Sequence, residues 1–127
     1  MQGKELFEYA VVRFVPRVER EEFINIGVVL YCRAQHFLQM RFSLDPHRCA
    51  VLQGDIDGED LLAYLKAFQQ ICDGSATDSE IAALPLAERF RWLTAKRSAV
   101  IQTSAVHPGL CTDASETLER LYTQLVL

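Results

Sequence analysis

F-I-N-I-G-V-V-L-Y-C-R, residues Phe23 to Arg33, is the stretch on which the fold turns. Its centre is continuously apolar, as expected of a strand covered on both faces. Gly27 inside it predicts a bulge or a close approach of a neighbouring backbone. Upstream, Glu8 to Val15 (E-Y-A-V-V-R-F-V) divides its side chains into Tyr9, Val11, Arg13 and Val15 on one face and Ala10, Val12 and Phe14 on the other. β-Branched and aromatic residues at that period make a second strand. Pro16 ends it, since proline cannot donate to a ladder. The charged Arg17 to Glu22 segment then connects the two strands. Downstream, Ala34-Gln35-His36 reads as a turn, and Phe37 to Leu44 alternates cleanly. Leu38, Met40, Phe42 and Leu44 face the core there, while Gln39, Arg41 and Ser43 face out. The three strands form an antiparallel meander.

The rest of the chain supplies the helices. Asp45-Pro46 starts a loop, and the acidic turn Asp55 to Asp60 leads into a helix over Glu59 to Cys72. Leu61, Leu65, Phe68 and Cys72 form its buried stripe. Gly74 is placed to cap its end. Thr77 to Glu80 resembles a capping box that starts a short helical turn. Pro85, at a first helical position, opens a helix that runs to about Ala95 and carries Leu86, Phe90, Trp92 and Leu93. Ala99 to Ser104 reads as a fourth strand and His107-Pro108-Gly109 as a loop. Asp113 with Glu116 opens a last helix that runs to about Val126 and buries Leu118, Leu121, Tyr122 and Leu125. The order β-β-β-α-α-β-α predicts an α+β fold, with an antiparallel or mixed sheet of about four strands. Packing of the helices on one face is the simplest arrangement.

A chain of 127 residues fits a single domain, residues 1–127, long enough to bury a core. Half of its residues are hydrophobic and 24% charged, a globular and not a disordered composition. The formal charge of −4 argues against a strongly basic nucleic-acid or membrane-surface binder. That charge is unevenly spread. Residues 1–54 hold seven Lys/Arg against six Asp/Glu, whereas residues 55–127 hold six against eleven. The first half's cations are nearly all arginine, the better residue for planar, bidentate recognition of carboxylate or phosphate. Scattered cysteines without a C-x-x-C pair, a polar start at Gln2 to Glu5 and no apolar run of roughly 18 residues predict a cytoplasmic protein with reduced, buried thiols and no membrane contact.

No motif in the chain carries recognised chemistry. Among the four cysteines and three histidines, His107 and Cys111 alone approach zinc-ligand spacing, and no second pair accompanies them. There is no nucleophile elbow and no glycine-rich phosphate cradle, so neither a metal nor another cofactor is expected. Paired carboxylates sit in turns and at helix starts, where the helix dipole favours them. Two polar constellations remain as candidate binding residues. Glu22 and Asn25, with Gly27, lie at the start of the apolar strand, and Arg97, Ser98, Gln102, Thr103, Ser104 and His107 form a polar run from the helix end through the fourth strand. A bulge-bound Asn25 and a helix-capping Arg97 would account for them structurally. Arg13, Asn25, Arg97, Ser104 and His107 could alternatively form a small-ligand or enzyme site. Tyr9, Arg13, Phe37 and Arg41 could share a sheet face that stacks single-stranded nucleic acid.

The segments Tyr9 to Leu30 and Lys96 to Ser104 (K-R-S-A-V-I-Q-T-S) carry a family resemblance, anchored by E-F-I-N-I-G-V at Glu22 to Val28. The chain resembles the bacterial family known as domain of unknown function 3037, over nearly its whole length. That resemblance imports no catalytic residues. It implies a small accessory protein that partners a HipA-like kinase. Together with the charge asymmetry it favours a non-catalytic protein-interaction module over an enzyme. An exposed edge of the second strand would make a homodimer by edge pairing plausible, with nothing in the sequence selecting it over a monomer.

Overall fold

The computed structural model describes residues 3–45, 58–97 and 99–127. Its strands are β1 (Glu5–Phe14), β2 (Ile24–Cys32), β3 (Phe37–Phe42), β4 (Ile101–Thr103) and β5 (His107–Cys111). Its helices are α1 (Gly58–Asp73), α2 (Leu86–Leu93) and α3 (Ala114–Leu125), with a 3-10 turn at Val18–Arg20. The fold is α+β, and every strand pairing is antiparallel. The acidic turn at Asp55 and Asp57, and also Cys49 and Ser98, lie outside the described residues.

β1, β2 and β3 form the expected meander, with β2 in the interior. The second strand therefore has no exposed edge, and the edge-paired homodimer expected of it has no strand to use. Among the described residues, the edges of the sheet belong to β3 and to β4 and β5. These last two lie end to end along β1: β4 opposite Val12 to Phe14, β5 opposite Glu5 to Tyr9.

β5 corrects the loop expected at His107-Pro108-Gly109. Proline and glycine are turn residues by habit, but each has a place here. Pro108 sits opposite Glu8 on an edge strand, where a residue without an N–H is tolerated. Gly109 lies opposite Phe7, and a Cβ there would stand 2.5 Å from the ring. The segment from Thr77 to Glu80 forms turns instead of a helix, with Ser79 Oγ accepting from the Ala82 N–H at 3.3 Å. Pro85 stands just ahead of α2 as its N-cap.

Both expectations for Gly27 hold. The register shifts between Val12, opposite Gly27, and Arg13, opposite Asn25, which leaves Ile26 as the extra residue of a bulge. A Cβ on Gly27 would lie 2.7 Å from the Arg41 carbonyl oxygen, so β3 approaches too closely for a side chain. The bulge also shifts the alternation along β2. Ile26 and Val29 enter one core, and Val28, Leu30 and Cys32 enter another.

Those two cores correct the placement of the helices on one face. α1 and α2 cover one side of the sheet, packing Leu61, Leu65, Phe68, Phe90 and Leu93 against Ala10, Val12, Val29 and Met40. α3 covers the other, packing Leu118, Leu121 and Tyr122 against Phe7, Val28 and Leu30. A strand apolar on both faces needs cover on both, and burial of each such Leu or Phe is worth about 1.5–3 kcal/mol. Helices on a single face would have left Val28, Leu30 and Cys32 in water.

Candidate functional site

At the C-terminal end of β1 the sheet opens into a cleft of about 520 Å³. Arg13 leaves β1 beside the bulge, directly opposite Gln102 of β4. Phe23, just before β2, forms one wall, and Lys96 and Arg97, just after α2, form another. Glu21 closes the rim from the end of the 3-10 turn, where its backbone is left-handed at φ 56°.

The charge in this cleft is largely uncompensated. The Arg13 guanidinium lies over the Phe23 ring at 4.1 Å, a cation–π contact that holds it in place. Its Nε is buried and has no hydrogen-bond partner among the described residues. A buried donor without an acceptor is costly, which leaves Arg13 the least compensated cation of the cleft. Arg97 is more committed. It donates to the Trp92 carbonyl and, at 3.3 Å, to the Ala95 carbonyl, capping the end of α2. Its guanidinium also stacks 4.7 Å from the Trp92 ring, and burial lowers its pKa below the ordinary arginine value. Gln102 donates to the Ala99 carbonyl at 2.9 Å. No ion pair to Arg13, Lys96 or Arg97 occurs among the described residues.

The structure thus gathers three of the sequence-predicted residues, Arg13, Arg97 and Gln102. Lys96 and Phe23 join them without having been foreseen. Their sequence signals were the Lys96-Arg97 pair after a helix and the exposed aromatic at the start of the E-F-I-N-I-G-V motif.

Glu22, Asn25, Ser104 and His107 have different work. Asn25 is the cross-strand neighbour of Arg13, but its Nδ2 donates to the Leu125 carbonyl in the last turn of α3 at 3.2 Å. Its Oδ1 is buried and unpartnered among the described residues. Glu22 is exposed and pairs with Arg20. Ser104 joins β4 to β5: its N–H donates to the Val11 carbonyl, and its Oγ accepts from the Val11 N–H, both at 2.8 Å. His107 is exposed on β5, its ring 5.4 Å from that of Tyr9. The wider set Arg13, Asn25, Arg97, Ser104 and His107 is therefore not one site.

The sheet face expected to stack nucleobases is the one α3 covers. Tyr9 and Phe37 pack half-buried against that core. Arg41 is held by Glu119 at 2.8 Å and lies over Tyr122. The thiols are equally enclosed. Cys32, Cys72 and Cys111 are free and buried. Burial, with a smaller contribution from Asp73, pushes the Cys72 thiol up to about 12, and burial beside Cys32 raises that of Cys111. Such thiols are poor nucleophiles. Among the described residues no three His, Cys, Asp or Glu side chains cluster as metal ligands, and no helix is long and apolar enough to cross a membrane.

Comparison with known families gives a match over most of the chain. The profile of the family described as "Protein of unknown function (DUF3037)" aligns with residues 9–126. No curated protein and no solved structure matches the chain.

Proposed function

The chain belongs to the DUF3037 family of proteins of unknown function, and from that premise we propose that it is a non-catalytic protein-interaction module whose contact element is the basic cleft at Arg13. The observation that carries this reading is the Arg13 guanidinium, stacked on Phe23 with a buried, unpartnered Nε beside Lys96 and Arg97. Fixed cations, a primary amide and an aromatic wall are recognition chemistry. Apart from Glu21 on the rim, the polar lining is Arg13, Lys96, Arg97 and Gln102, all hydrogen-bond donors that an anion can accept from, set against the apolar Val15, Val18 and Phe23. The matching ligand is an acidic segment of a partner protein, its carboxylates desolvated against Arg13 and steered by Lys96. A HipA-like kinase, the partner that the family resemblance implies, is the first protein to test.

A small carboxylate or phosphate ligand is the second reading. The cleft's volume supports it, since it falls within the roughly 300–1,000 Å³ usual for small-molecule sites.

The test is co-purification from native cells of the tagged wild type and of an Arg13→Glu/Lys96→Glu variant, with circular dichroism to confirm that the variant folds. The expected result is a stoichiometric kinase-like protein held by the wild type, released by salt, and lost from the variant. A kinase held equally by both would remove the cleft from the interface. A wild type that recovers no such protein, yet is thermally stabilised by phosphate or citrate through Arg13, would give the second reading the site.

A further inference from the structure

At the opposite end of β1 the sheet carries a second surface, of different chemistry. Leu6 of β1 and Leu110 of β5 are direct cross-strand partners, and both face water, 58% and 62% exposed. Cross-strand pairs are the unit of sheet stabilisation, but no described residue covers this one. Next to it lies a cavity of about 590 Å³, whose apolar walls are Leu6, Phe7, Tyr31, Ala34 and Ala87. Leu110 does not line that cavity and stands beside it. The charged groups of the cavity are Glu8 on β1, Arg33 after β2 and Arg91 on α2. No ion pair joins Glu8 to either arginine among the described residues.

We infer that this surface is the interface of a symmetric homodimer. A two-fold contact must be self-complementary, since the same patch meets itself. This patch meets the condition in shape, because it carries an apolar knob, Leu110, alongside an apolar hollow. It meets it in charge, because a carboxylate and two guanidiniums share the rim and can pair across the axis, Glu8 of one protomer with Arg91 or Arg33 of its partner. An unrelated partner would need only one half of each complement. The inference is independent of the Arg13 cleft, which lies at the other end of the strand.

Analytical ultracentrifugation over a wide concentration range, low micromolar to millimolar, tests it. The wild type is expected to move with concentration from the 14.4 kDa of one chain toward twice that mass. Glu8→Arg and Arg91→Glu should each weaken self-association by at least tenfold, because each places like charges across the axis. Mixed one to one, the two variants should dimerise again, since each then supplies the charge the other has lost. Leu110→Glu should be monomeric throughout, and far-UV circular dichroism would check the fold of every variant. A wild type that stays monomeric at millimolar concentration overturns the inference. So does a dimer indifferent to these substitutions, which would place the contact on another surface.

Discussion

Replacing Ser104 with alanine separates a structural from a functional reading of a residue the sequence offered as a binding group. Ser104 is buried at 7% exposure, where β4 ends before β5 begins. In that gap its side chain stands in for the missing ladder: Oγ accepts from the Val11 N–H at 2.8 Å and donates to the Ala105 carbonyl at 2.9 Å. Val11 is equally buried at 7%, so loss of Oγ leaves its N–H without acceptor or water. An orphaned buried donor costs about 1–3 kcal/mol. Unfolding entropy near 60 °C is about 2.1 cal/mol/K per residue, or about 0.27 kcal/mol/K for this chain, so the melting temperature should fall by about 4–11 °C. Reversible thermal melts followed by circular dichroism measure it, with the exposed Ser115→Ala as a control expected to change stability by less than about 0.5 kcal/mol. Binding at the Arg13 cleft should be unchanged well below the new melting temperature. A Ser104→Ala protein as stable as the wild type would refute the bridging role, and a loss of binding with full stability would make Ser104 a ligand contact.

Two further substitutions test the packing. Gly27→Ala puts a methyl 2.7 Å from the Arg41 carbonyl, and backbone cannot swing aside as a side-chain tip can. It should cost about 1–3 kcal/mol, seen as a lower urea midpoint at unchanged slope, and an unaltered midpoint would contradict the close approach. Cys72 tests burial through pH. Its thiol, held up to about 12 against an ordinary 9.0, keeps its proton when folded and releases it sooner when unfolded. Its contribution to stability is therefore complete below pH 9 and lost as pH rises toward 12. Melting temperature should fall more steeply across that window for the wild type than for Cys72→Ala, and parallel slopes would count against the shift.

How far the fold could be read from the sequence depended on whether each signal was local. The run Val28-Val29-Leu30 states its own requirement for cover on both faces, and Gly27 announces both the bulge and the close contact it proved to have. Which helix goes to which face is not local. The apolar stripe of α3 would fit either side, and the side is fixed by the bulge at Ile26, which decides where Val28 and Leu30 point. The requirement for two-sided cover was itself the argument against placing every helix on one face. β5 escaped notice because Pro108 and Gly109 are turn residues everywhere except at an edge facing an aromatic ring, and Phe7 is about a hundred positions away. The cleft was half legible for a related reason. Arg13, Arg97 and Gln102 look polar among apolar neighbours, but so does Ser104, whose hydroxyl completes the sheet. Lys96 and Phe23 look ordinary until the fold sets them against Arg13.

The two surfaces proposed here depend on one strand. Leu6 and Arg13 are seven residues apart on β1, which at about 3.4 Å per residue is about 24 Å. They also differ by an odd number of positions, so their side chains leave opposite faces of the sheet. Self-association through Leu6 and Leu110 therefore leaves Arg13, Phe23 and Lys96 uncovered, and each dimer presents two basic clefts. A partner with two acidic segments, or one that is itself a dimer, would bind the second cleft intramolecularly and gain avidity without any new contact. This gives the charge-reversal variants a second consequence. Arg91→Glu lies outside the cleft and should leave the affinity for a single acidic peptide unchanged, while weakening capture of a dimeric partner. Equal loss for both ligands would mean that the two ends of β1 do not act as separate surfaces.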